Sequence, residues 1–172
     1  EEQLEEDVAM LRQILDNLIA YSFSQENVMK QFKGLKRGSP SFNKFLKIQQ
    51  DLKQQFKHVD DSLFAMSLRN PKIAENITKE VGNVQYNVER SIETLADANV
   101  GKGVYHQQYA VSSSNKLADF LADVLTSMQA SLSMSGKGKG KGKPSPGKGS
   151  GGQLPDIIMK QDGLSEQLQK GM

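Results

Sequence analysis

Residues able to do chemistry are sparse in this chain and do not converge. There are two histidines, His58 and His106, and no cysteine. His58 precedes Asp60 and Asp61, but one His with one carboxylate is at most half a metal site. On a helix Asp61, at i+3, shares the face of His58 while Asp60 points elsewhere. A solvated helix face is therefore expected. His106 has no acid near it in sequence and reads the same way. The carboxylate pairs Glu5/Glu6 and Asp60/Asp61 fall in charge runs that suit exposed faces. Gly101-Lys102-Gly103 lacks the length and the Ser/Thr of a phosphate loop, and no nucleophile motif is present. The expectation is a chain that is not an enzyme, with no cofactor and no metal.

Two further groups of residues bear on partners. Residues 135–152 contain five lysines, Lys137, Lys139, Lys141, Lys143 and Lys148, with no acid and no apolar side chain. A polybasic tract can bind nucleic acid or anionic lipid. Here no aromatic or Arg is interleaved to stack on bases, so a soluble linker is the preferred reading and nucleic acid is a disfavoured partner. The second group is Gln25, Gln49 and Gln107, which interrupt otherwise apolar seams. A buried polar residue in such a seam can set register or oligomer state. A seam that faces water at those points would carry the same residues, and both readings stay open.

The elements that would position these residues are helices. Phe42, Phe45, Gln49, Leu52, Phe56, Val59, Leu63 and Met66 recur at alternating spacings of three and four, the seam of a helix lying along another helix. Leu4, Val8, Leu11, Leu15, Leu18, Tyr21, Val28 and Phe32 form an earlier seam. Ile77, Val81, Val84, Val88, Ser91 and Leu95 form a third, and Val104, Gln107, Val111, Ser114, Ala118, Leu121, Leu125, Met128 and Leu132 a fourth. Ser39-Pro40 and Asn70-Pro71 each place a capping residue before a proline suited to a first helical position. Helices are expected over about 2–32, 40–69, 71–98 and 104–134. Gly101 and Gly103 are expected to separate the last two, and Ser112-Ser113-Ser114 to loosen the fourth until Asn115, because hydroxyls compete for backbone groups.

Short connections make sequential helices antiparallel neighbours. The expected fold is all-α, an antiparallel up-down-up-down four-helix bundle over 1–134. A flexible Gly/Lys linker, 135–152, and a short amphipathic helix, 153–172, should follow. The rival topology is a pair of long hairpins burying their seams against a second copy or against more of the same chain. Charge favours the first hairpin: residues 1–27 carry seven acids and one Arg, and residues 28–58 seven Lys, one Arg and one Asp. An exposed pair contributes only about 0–1 kcal/mol, so charge would select the partner while seam burial holds it.

With 37% hydrophobic residues, no Trp and a net charge of +2, the composition suits a thin bundle and does not imply a polyanion partner. No apolar run approaches the roughly 18–20 residues of a membrane span. The acidic start, Glu1 to Asp7, is unlike a signal peptide. Opening in mid-helix pattern without an initiator Met is what a fragment of a longer chain would show.

Several strings occur together in order: Leu11-Arg12-Gln13-Ile14-Leu15-Asp16-Asn17-Leu18, Ser22-Phe23-Ser24-Gln25-Glu26, Asn115-Lys116-Leu117-Ala118 with Met128-Gln129, the Gly-Lys tract, and Gln153-Leu154-Pro155-Asp156-Ile157-Ile158. In this combination the chain resembles the C-terminal helical region of a family of large, uncharacterised Bacteroidetes membrane proteins with long coiled-coil segments. The resemblance implies a membrane-tethered parent in the cell envelope and transfers no catalytic residue.

The function expected is a structural or protein-interaction module that assembles with itself, as a homo-oligomer, or with other parts of the parent chain. It would touch the membrane only through that parent. The alternatives are a polyanion-binding module using the lysine tract and a regulatory accessory domain of a larger chain. The residues expected to make contacts are Gln49, the tract lysines Lys137, Lys139, Lys141 and Lys143, and Ile157, Ile158, Leu164 and Leu168 of the last segment.

Overall fold

A computed structural model describes residues 2–36 and 38–137. Those residues form four α-helices and no strand: α1 Glu2–Lys33, α2 Pro40–Ser67, α3 Pro71–Ala96 and α4 Val100–Lys137. The expected linker and short last helix lie outside the described residues, apart from the linker's first three, which continue α4. Lys139, Lys141, Lys143, Ile157, Ile158, Leu164 and Leu168 therefore lie outside as well. Lys137 is the last residue of α4.

The described residues divide into two compact units: residues 17–118, and residues 2–16 together with 119–137. In the second unit Val8, Leu11, Ile14 and Leu15 of α1 and Leu121, Ala122 and Leu125 of α4 are buried. Asp7, also buried, accepts a hydrogen bond from Gln3 Nε2 at 3.0 Å.

In residues 17–118 all four helices take part. Paired positions rise along one helix as they fall along its neighbour. Tyr21 meets Phe56, and Phe32 meets Phe42 and Phe45, between α1 and α2. Lys53 meets Glu89, and Asp60 meets Gln85, between α2 and α3. Leu95 lies against Gly103, and Asn87 meets His106, between α3 and α4. These neighbours run in opposite directions. The seams face inward: Leu52, Phe56, Val59, Leu63 and Met66 of α2 and Ile73, Ile77, Val81, Val84, Val88 and Leu95 of α3 are buried. Burying such a side chain contributes about 1.5–3 kcal/mol, more than an exposed ion pair. The α2–α3 ion pair Lys53–Glu89, at 3.3 Å and exposed, adds little.

Local chemistry explains the helix ends. Ser39 caps α2, its side chain accepting from Ser41 N at 3.2 Å, with Pro40 following. Asn70 behaves differently. It stands before Pro71 but makes no side-chain cap; its Nδ2 instead donates to Met66 O at 3.2 Å and ties down the end of α2. The chain turns here, and no continuous rod forms. Helix α3 ends in a Schellman motif: Ala98 N donates to Leu95 O and Asn99 N to Thr94 O, with Ala98 left-handed at φ 62°.

Two sequence expectations about α4 are corrected. It starts at Val100, and Gly101 to Gly103 form its opening turn instead of a separator. Asn99 Oδ1 accepts from Lys102 N at 3.2 Å, which initiates the helix. Gly103 is where α3 and α4 approach most closely: a Cβ there would lie 2.4 Å from Leu95 Cδ2. The glycine answers a packing need and is not a stop signal. The second correction is at Ser112-Ser113-Ser114, which is regular helix. Ser114 Oγ donates to Val111 O at 2.9 Å, so its buried hydroxyl is satisfied within its own helix.

Candidate functional site

Gln25, Gln49 and Gln107 come together, though they lie on α1, α2 and α4. Each sits at a seam position of its helix, so antiparallel packing carries all three to one level of the interior. All three are fully buried. Gln25 Nε2 donates to Gln49 Oε1 at 2.7 Å, and Gln49 Nε2 donates back to Gln25 Oε1 at 2.9 Å. Gln107 Nε2 also donates to Gln49 Oε1, at 2.8 Å. Tyr21, one turn before Gln25, donates its hydroxyl to Gln25 Oε1 at 2.9 Å. Burial pushes the Tyr21 phenol far up from its ordinary value, so it remains a donor throughout the accessible pH range.

Gln49 is the hub of this layer, accepting from two helices and donating to one. The arrangement is asymmetric, because Gln107 Oε1 is buried without a hydrogen-bond partner. A paired amide layer opposes sliding of one helix past another, since a shift of one turn would leave several amide groups unpaired in an apolar interior. Nearby, Ser22 Oγ of α1 donates to Asn115 Oδ1 of α4 at 2.6 Å and ties the fourth side of the bundle.

A second cluster lies on the outside, at α3 and α4. Tyr86, Tyr105 and Tyr109 are 59%, 55% and 48% exposed. Tyr105 meets Tyr109 edge-on with ring centres 4.9 Å apart, and His106 meets Tyr105 at 5.2 Å and Tyr86 at 6.2 Å. His106 Nδ1 lies 2.8 Å from Asn87 Oδ1. Because an amide oxygen only accepts, Nδ1 carries the proton and donates. Partial burial, then the charges of Arg90 and Lys102, hold the His106 pKa below its ordinary value. The hydrogen bond with Tyr109 pushes the Tyr105 phenol up. Sequence reading passed over this cluster. The spacing of Tyr105 and Tyr109 was visible; the approach of Tyr86 from another helix was not.

The remaining candidates separate. His58 is exposed. Asp60 Oδ2 accepts from Gln85 Nε2 at 2.6 Å, and Asp61 pairs with Lys57 at 3.4 Å. Among the described residues no group of three or more His, Cys, Asp or Glu is placed to hold a metal ion, and no helix is long and apolar enough to cross a membrane. No family model, curated protein or solved structure matches the chain.

Proposed function

We propose that this chain is a non-catalytic structural and protein-interaction module. The observation that supports it most is the exposed Tyr86, Tyr105 and Tyr109 around half-buried His106, carried on helices whose partners are held in register by the buried glutamine layer. Tyrosine recurs at binding hot spots because it combines a large apolar area with a polar tip. Presenting it from helices instead of loops lowers the ordering cost of association. The proposed setting is a larger, membrane-anchored parent in the cell envelope. Its support is the resemblance of the ordered sequence strings to that family.

The test is site-specific photocrosslinking from position 105 or 109 of the parent protein in its own cells. A discrete crosslinked protein is expected from both positions. It should be absent from position 50, on the exposed side of α2, and lost when Tyr86→Ala is added. No protein crosslink from either position refutes the reading.

A second reading draws on the five lysines of 135–152, which have no acid among them. Salt-sensitive binding of the full chain to single-stranded DNA or anionic vesicles, abolished by Lys→Gln at 137, 139, 141 and 143, would replace the first reading with polyanion binding.

A further inference from the structure

We propose that the outer groove between α2 and α3 is a self-docking surface, filled by the same groove of a second copy in a two-fold antiparallel pairing. The proposal rests on the interaction-module reading and names the partner for a face other than the tyrosine cluster.

Four observations carry it. Phe64 of α2 and Leu68, just past its end, are 63% and 70% exposed. Beside Phe64 lies an open groove of about 370 Å³ lined by Ala74, Ile77, Thr78, Val81 and Gly82 of α3. The apolar projection and the hollow are thus adjacent on one face.

Gly82 is the second observation. It is an exposed glycine inside a helix, where glycine weakens the helix relative to alanine. A Cβ at this position would meet nothing within 4 Å, so packing within the chain does not require a glycine. Close approach of a second backbone does. Ala74, Thr78 and Gly82 recur every four residues and share one line of α3.

Third, three polar donors around the groove already have partners. Thr78 Oγ1 donates to Ala74 O at 2.7 Å, Ser67 Oγ to Phe64 O at 2.8 Å, and Gln85 Nε2 to Asp60 Oδ2 at 2.6 Å. These donors keep their acceptors when the groove is covered, which lowers the desolvation penalty of its polar rim.

The fourth observation, charge, selects the occupant. Asp60 lines one end of the groove, with Asp61, paired to Lys57, next to it in α2; Arg69 and Lys72, both exposed, lie at the hairpin tip beyond the other end. Phe64 on α2 and Thr78 on α3 lie midway, with Ala74 and Gly82 equally spaced to either side of Thr78. A two-fold axis at this midpoint sets Arg69 and Lys72 of each copy against Asp60 and Asp61 of the other. It also lays each Phe64 against the other copy's Phe64, and along α3 each Gly82 against the other copy's Ala74. A parallel pairing would set like charges together. The contact is the same patch on both copies, so it closes at two. The patch from Asp60 to Leu68 is about 12 Å long. That is the low end of specific interfaces, for which micromolar association is expected.

The experiment is sedimentation velocity of the full chain from about 5 to 500 µM, the range a weak interface requires. Self-association to a dimer is expected and should saturate there. Phe64→Glu should weaken it at least ten-fold. Gly82→Ala should raise the melting temperature of the dilute chain while weakening the dimer, a pair of opposite effects that a merely structural glycine would not give. The doubly charge-reversed variants R69E/K72E and D60K/D61K should each lose self-association. Mixed together they should form a heterodimer near wild-type affinity, because both ends are then complementary again. Circular dichroism melts confirm that each variant folds.

A monomer at every concentration overturns the proposal, as does a dimer insensitive to Phe64→Glu, or charge variants that fail to rescue one another. A monomer that still crosslinks to another protein from position 105 removes self-docking alone. A dimer with no such crosslink removes the tyrosine-cluster reading alone.

Discussion

Replacing Gln49 and Gln107 with leucine should shift stability in opposite directions, although both are fully buried glutamines in the same layer. Gln49→Leu removes the acceptor used by Gln25 Nε2 and Gln107 Nε2. Each stranded amide costs about 1–3 kcal/mol, so the loss is about 2–6 kcal/mol. Gln25 Oε1 keeps its bond from Tyr21. Leucine recovers about 1.5–3 kcal/mol through apolar burial, leaving a net destabilisation of about 2 kcal/mol at the middle of the two ranges. Gln107→Leu deletes one hydrogen bond and also removes the orphaned Oε1. Gln49 Oε1 still accepts from Gln25, so no new orphan forms, and the variant should be about 1–3 kcal/mol more stable than the parent. Urea unfolding followed by helical circular dichroism at low micromolar concentration reads both shifts as changes in midpoint at constant slope. If both substitutions move the midpoint the same way, Gln49 is not the hub and the reasoning fails.

Three further outcomes follow from local geometry. Ala98→Gly should stabilise the fold by about 0.5–1 kcal/mol, because alanine pays a steric cost in the left-handed conformation; a lower unfolding midpoint would contradict the Schellman ending of α3. Gly103→Ala should destabilise by about 1–2 kcal/mol, the clash with fully buried Leu95 outweighing the gain in helix propensity; equal stability would mean that the α3–α4 approach is looser than described. Finally, the lowered His106 pKa means that the unfolded chain, with its value near 6.5, takes up the proton first as pH falls. The contribution of His106 to stability is thus present above about pH 6.5 and lost as acid carries the solution below it. A pH series of urea midpoints should decline through that window and flatten in His106→Gln; an unchanged slope in the variant would assign the decline elsewhere.

The four seams were legible residue by residue, and the structure buries most of them. Even Ser91 and Ser114, where a seam prefers apolar groups, fit because each hydroxyl bonds to a carbonyl three residues back. Ser39-Pro40 announced a helix start correctly, because capping is a local event. Asn70-Pro71 announced the start but not the use of the asparagine, whose amide turns to the preceding helix. The glycines before Val104 misled for the same reason that makes Gly103 informative. Along the sequence a glycine reads as a breaker, whereas inside a close helix crossing it is required.

Periodicity is a property of one helix at a time. The sequence alone therefore determined how many helices form among residues 2–137, which face of each turns inward, and that short loops set neighbours antiparallel. It also raised Gln25, Gln49 and Gln107 as exceptions, without showing whether they meet water or one another. That was decided by tertiary structure, because contact between three helices depends on relative register, which no single helix encodes. Packing put the three amides at one level and left Gln107 Oε1 without a partner. It also brought Tyr86 to Tyr105 and His106, and opened the groove beside Phe64.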